Sequence, residues 1–106
     1  MLRNVFLTLV SGLLLMSTLA SGKEFWIDVR TTEEFNAGHL QAAVHIPYEE
    51  IASRIGEVTR DKDDVIHLYC RSGHRSGIAL GTLQSIGFKN AVNEGGYEAL
   101  LQKGLK

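Results

Sequence analysis

The chain has 106 residues, 11 lysines and arginines against 12 aspartates and glutamates, and a formal net charge of −1. That length suits one small domain, and the near-neutral balance excludes a basic surface of the kind that grips nucleic acid. With a single cysteine, an internal disulfide is excluded as well.

Residues 1–20 read as an export signal rather than as part of the domain. Met1-Leu2-Arg3-Asn4 is a short cationic start, Val5 to Met16 is an apolar run, and Thr18 and Ala20 are small residues at the −3 and −1 positions of a signal-peptidase site. The alternative is an uncleaved membrane anchor, for which the run is short of the roughly 20 residues that span a bilayer. Cleavage would leave residues 21–106 as the mature domain in an oxidising compartment, the periplasm, with no stable membrane insertion. A lone exported cysteine is buried and inert, paired between chains, or a working thiol.

Phe25-Trp26-Ile27-Asp28-Val29 reads as a first strand. Thr31 and Glu34 stand at capping-box spacing, so a short helix is expected over Thr32 to Ala37, closed by Gly38 in a left-handed conformation. Ala42 to Ile46 reads as a second strand stopped by Pro47. Tyr48 to Ile55 reads as a helix ended by Gly56, and Arg60 to Asp64 as a solvated turn. Val65 to Tyr69 is a buried strand. Behind it, Ile78, Ala79, Thr82, Leu83 and Ile86 mark the inner face of a helix from Ser76 to Ile86, with Gly87 as its stop. Ala91-Val92-Asn93 is a short strand, Gly95-Gly96 a turn, and Tyr97 to Lys103 a last helix with Leu100 and Leu101 inward. Strands alternating with helices predict an α/β domain: a mostly parallel sheet with helices on both faces.

In such sheets ligands bind beyond the carboxyl ends of the strands. At one such end lies Cys70-Arg71-Ser72-Gly73-His74-Arg75-Ser76. A free thiol, with a pKa of about 8.5, is mostly protonated at neutral pH. Three features here oppose that: the amides and dipole of a helix start at Ser76, the charges of Arg71 and Arg75, and a nest of N–H groups turned inward by Ser72 and Gly73. A buried inert cysteine needs none of these. Asp28 and Arg30, at the end of another strand, read either as groups that orient this loop or, preferably, as a structural ion pair, with Glu34 as a further partner. His39, His45, His67 and His74 lack the spacing of a metal site, and no cofactor is expected. His39 reads as a turn residue and His67 as a strand residue with a satisfied hydrogen bond; His74 lies in the loop and can line a donor pocket.

The run from Cys70 to Ser76 resembles the active loop of the rhodanese family of sulfurtransferases. Trp26-Ile27-Asp28-Val29-Arg30 resembles that family's D-V-R strand, Glu34 to Pro47 its E-(F/Y)-x-x-G-H-I-x-G-A-x-N-I-P segment, and Gly87-Phe88 through Val92 to Gly95-Gly96 its closing G-F…V…G-G. These motifs cover nearly all of residues 21–106, and the chain is most similar to small, single-domain, exported members. It departs at Ala42, where glycine is usual, at His45, where asparagine is common, and at Leu100, where many members carry tryptophan.

The resemblance implies a rhodanese-like fold and a two-step transfer. Cys70 would take the outer sulfur of an anionic donor such as thiosulfate, and cyanide or a thiol would then remove it. Arg71, Ser72, Gly73, His74, Arg75 and Ser76 would bind donor and persulfide, and without a second cysteine the acceptor must come from outside. Phosphatases on this fold use a longer loop with arginine six positions after the cysteine; here Arg75 stands five on and position 76 is Ser76, which suits a sulfur-sized ring. A second reading is a non-catalytic module that binds persulfide or a stress-related partner.

Overall fold

The computed structural model describes residues 22–106; the expected signal peptide lies outside them. The elements, in order, are β1 (Glu24–Asp28), α1 (Thr32–Ala37), β2 (Ala43–His45), α2 (Ile51–Arg54), β3 (Val65–Cys70), α3 (His74–Ser85), β4 (Ala91–Gly96) and α4 (Tyr97–Gln102). The four strands make one sheet in the order β2-β1-β3-β4, and every pairing is parallel. This is the expected α/β architecture. Among the described residues, no helix is long and apolar enough to cross a membrane.

Alternation along the strands gives each face its own core. On one face Ile27, Ile66, Leu68 and Cys70 pack against Ile51 and Ile55 and against Ala79 and Leu83 of α3. On the other, Tyr69 packs with Leu40 and Leu100, flanked by Trp26 and Tyr97. α1 forms as expected: Thr31 Oγ1 accepts the Glu34 N–H at 3.2 Å and Glu34 Oε1 accepts the Thr31 N–H at 3.0 Å.

Several expectations are corrected. Gly38 closes α1 at φ 153°, ψ 139°, an open conformation rather than the compact left-handed one, because the chain leaves the helix extended toward β2. The stretch from Tyr48 is not one helix: 3₁₀ turns at Tyr48–Glu50 and Ile55–Glu57 flank four α-helical residues, and Gly56 lies within the second turn. Asp64 is not loop surface. It is 2% exposed and accepts the Lys23 N–H at 3.0 Å and the Thr59 hydroxyl at 2.6 Å, so it anchors the turn to the start of β1. α3 begins at His74, and its buried positions are Ser76, Ala79 and Leu83. Ile78 and Ile86 are 44% and 38% exposed: Ile78 stands about 200° around the helix from Ser76, which is held inward by Cys70 and Asn93, and Ile86 is the C-cap beyond the last helical turn. Gly95-Gly96 belongs to β4, where Leu68 pairs with Asn93 and Cys70 with Gly96. Two steps on β3 thus oppose three on β4, a bulge, with Gly95 at φ 89°.

His67 joins three strands. Stacked on Trp26 at 4.5 Å, its ring donates Nδ1–H to Glu94 and Nε2–H to Glu24, both at 2.6 Å. Burial opposes the charge on the ring, but the bonds to Glu24 and Glu94 outweigh it and raise the pKa above the ordinary histidine value. A raised folded-state pKa contributes stability that is complete below the unfolded value, about 6.5, and is lost as pH rises through the folded one. The melting temperature of the wild-type chain is therefore expected to fall as pH rises above about 6.5, with the fall largely absent in His67→Gln; equal pH profiles would remove this role.

Candidate active site

Cys70 ends β3 at the carboxyl edge of the sheet, and the loop after it turns into α3 at once. The turn is made by Gly73, at φ 97° the left-handed N-cap of α3, a conformation that other residues adopt at a cost. The early amides of a helix have no partner within it. Here they face the sulfur: Gly73 N–H donates to Cys70 Sγ at 3.0 Å and Ser76 N–H at 3.5 Å. Ser76 Oγ lies 3.3 Å from the same sulfur. Burial raises the thiol pKa, but the Ser76 hydroxyl and the amides of Ser76, Ser72 and Gly73 outweigh it, and the net direction is below the ordinary value.

Of the two loop arginines, Arg75 is near enough for its charge to be felt at the Cys70 sulfur. Arg75 forms a two-pronged ion pair with Glu34, at 2.7 and 3.0 Å. That contact, opposed by burial and aided by Thr31, holds the Glu34 carboxyl down to about 2. Arg71 is exposed and, with Arg30, Glu34, Gly38, Tyr97 and Glu98, borders a cavity of about 380 Å³ beside the loop. His74 and Ser72 are exposed, and neither borders that cavity. Cys70 itself is 0% exposed, more enclosed than a partly exposed reactive thiol.

Asp28 and Arg30 form the expected ion pair, but Glu34 is not its third member. Arg30 Nε donates to both Asp28 oxygens at 2.9 and 3.0 Å and Nη2 to Oδ2 at 2.6 Å; Nη2 also reaches the Gly38 carbonyl at 2.7 Å. The guanidinium lies 4.6 Å from the Tyr97 ring centre. Arg30 thereby ties the end of β1 to the end of α1 and to α4, and bonds no residue of the loop. Of the other histidines, His39 donates to the Phe35 carbonyl at 2.8 Å and His45 to the Arg30 carbonyl at 2.7 Å.

Sequence reasoning missed three participants. Glu34 is legible as a cap and as a partner for Arg30, not for Arg75; Gly96 only as a turn, and Asn93 only as a strand end. Asn93 Oδ1 accepts the Ser76 hydroxyl at 2.7 Å, and its Nδ2 donates to the Gly73 carbonyl at 2.9 Å. The available signal was a polar residue of low strand propensity at the end of an apolar strand and two residues before a double glycine.

The family model for the Rhodanese-like domain matches residues 14–103. The chain belongs to the rhodanese family. It is 36% identical over 83 residues to "Thiosulfate sulfurtransferase PspE" of Escherichia coli strain K12, covering 78% of this chain and 80% of that one. It is 35% identical over 91 residues to "Thiosulfate sulfurtransferase 18" of Arabidopsis thaliana, covering 74% and 65%. Among solved rhodanese structures it is similar to "rhodanese with anions from E. coli", with TM-score 0.69 and 39% identity over 71% of this chain and 88% of that one. The human single-domain sulfurtransferase TSTD1 aligns with TM-score 0.67 and 30% identity over 84% and 90%.

Proposed function

We propose that this rhodanese-family chain is a thiosulfate sulfurtransferase with Cys70 as nucleophile and persulfide carrier. The observation that carries the reading is the buried sulfur of Cys70 inside a ring of loop amides at the N-terminus of α3. The thiolate attacks the outer sulfur of thiosulfate, a new S–S bond forms, and sulfite leaves with the electron pair of the bond that breaks. The persulfide's outer sulfur is then attacked by cyanide or a thiolate, and the Cys70 thiolate leaves with the electrons of the S–S bond. The two half-reactions give ping-pong kinetics. The loop amides hold the charge of the persulfide, a fixed-dipole stabilisation that needs no reorganisation.

Arg71 is the loop cation that bonds no other described residue, so attraction of the donor dianion falls to it, while Arg75 positions the loop against Glu34. Replacement Arg71→Glu is expected to raise the KM for thiosulfate by about tenfold or more through charge repulsion, with little change in thermal stability. Thiocyanate formation from thiosulfate and cyanide tests the whole reading: it should be present in the wild-type chain and lost in Cys70→Ser. An unchanged KM would remove Arg71 from donor binding. Export to the periplasm with removal of residues 1–20 belongs to the same proposal, and the mass of the protein recovered from that compartment tests it. The alternative, a non-catalytic module, is favoured by one observation, the complete burial of Cys70; it predicts a folded protein with no turnover.

A further inference from the structure

Asn93 sits where three parts of the site meet. Its Oδ1 accepts the Ser76 hydroxyl at 2.7 Å and the Gly95 N–H at 3.0 Å, while Nδ2 donates to the Gly73 carbonyl at 2.9 Å. An amide N–H only donates and a carbonyl only accepts, so Gly95 and Gly73 fix which end of the side chain is which. The Ser76 hydroxyl has one proton and lies between two acceptors, Asn93 Oδ1 and, at 3.3 Å, Cys70 Sγ. When Cys70 carries a proton it can donate to Ser76 Oγ, and the serine proton goes to Asn93. When Cys70 is a thiolate it has nothing to donate, and the two acceptors compete for that proton.

We propose, on the sulfurtransferase reading above, that Asn93 is a positioning residue for Cys70: it holds the Ser76 hydroxyl proton while Sγ carries a proton or the transferred sulfur, and yields it when Sγ is a thiolate. The motion is a rotation about the Ser76 Cβ–Oγ bond, and no covalent bond is made or broken. The thiol's own proton leaves to solvent on ionisation. The hydroxyl thus turns to Cys70 twice in a cycle, before attack on the donor and again as Cys70 leaves its persulfide. Competition from Asn93 keeps the thiolate less stabilised than the loop alone would make it. That preserves nucleophilicity, since a thiolate loses intrinsic reactivity as its pKa falls.

The titratable and charged groups around the sulfur are Arg71, His74 and Arg75 of the loop, Glu34 of α1 through its pair with Arg75, and the Asp28–Arg30 pair. None of them bonds Ser76 or Asn93 among the described residues, so their influence is common to the variants compared. Asn93 is exposed, so truncation there leaves the core intact.

The test is the pH dependence of iodoacetamide alkylation in four proteins: wild type, Asn93→Ala, Ser76→Ala and the double variant. Cys70 is the only cysteine, so the midpoint reports it directly and requires no sulfur transfer. A neutral hydrogen bond of about 1 kcal/mol corresponds to about half to one pH unit. Asn93→Ala is expected to move the midpoint lower by that amount in the Ser76 protein than in the Ser76→Ala background. Loss of the Gly73 anchor acts in both backgrounds and cancels. A coupling of zero, or of opposite sign, overturns the proposal. Absence of thiosulfate turnover with the coupling intact would defeat the sulfurtransferase reading and leave the hydroxyl exchange standing.

Discussion

Replacing Gly96 by alanine is expected to remove most thiosulfate turnover and to destabilise the domain by about 1–3 kcal/mol, the range for overpacking a close-fitted site. Gly96 has an ordinary φ of −103°, so conformational freedom is not its reason. A Cβ there would overlap the Arg71 carbonyl oxygen and press on Ser72 Cα at 3.4 Å. Both belong to the backbone that carries the active loop, and neither can swing away as a side-chain end would. The loop must shift, and with it the amides that face Cys70. Gly81→Ala is the matched control. It lies in α3 with nothing within 4 Å of the added carbon, so it should stabilise the helix by about 0.5–1 kcal/mol and leave turnover unchanged. Denaturant melts and initial rates on the two variants check both statements; equal effects from the two would mean that Gly96 is merely another glycine.

Arg30→Ala is expected to cost about 3–5 kcal/mol, because it strands a buried carboxylate. Asp28 is 0% exposed and Arg30 6%, and the pair shares several hydrogen bonds. Removal of Arg30 also unties the Gly38 carbonyl and the stacking on Tyr97. Asp28→Asn in the same background should recover part of the loss by discharging the stranded group. No recovery would show that packing against Tyr97, not the ion pair, is what Arg30 supplies. Arg30 borders the same cavity as Arg71, so its loss, with the Asp28 charge left unpaired, should raise the KM for thiosulfate as well as lower stability.

Local signals explain what was legible in the chain. The capping box at Thr31 and Glu34, the strand periods around Ile27 and Ile66, and the Cys70–Ser76 run with its glycine are all contained within short windows. Together they suffice for a parallel α/β domain with a thiol at a strand end. Misread positions depend on residues far apart in the chain. Gly95-Gly96 looks like a turn until Cys70 pairs with Gly96 in the neighbouring strand. Glu34 and Arg75 are 41 residues apart, and nothing near Arg75 announces that its charge is neutralised by α1. Asp64 sits in a run of charges, and only the return of Lys23 and Thr59 buries it. Exposed Ile78 of α3 makes the same point, since a hydropathy stripe does not register that Ser76 is held by Cys70 and Asn93.

Intact mass after thiosulfate treatment tests the central claim most directly. The wild-type chain should gain about 32 Da, one sulfur atom, lose it on addition of cyanide or a thiol, and show no gain in Cys70→Ser. A folded wild-type chain that gains nothing, or a gain that survives in Cys70→Ser, would contradict the account.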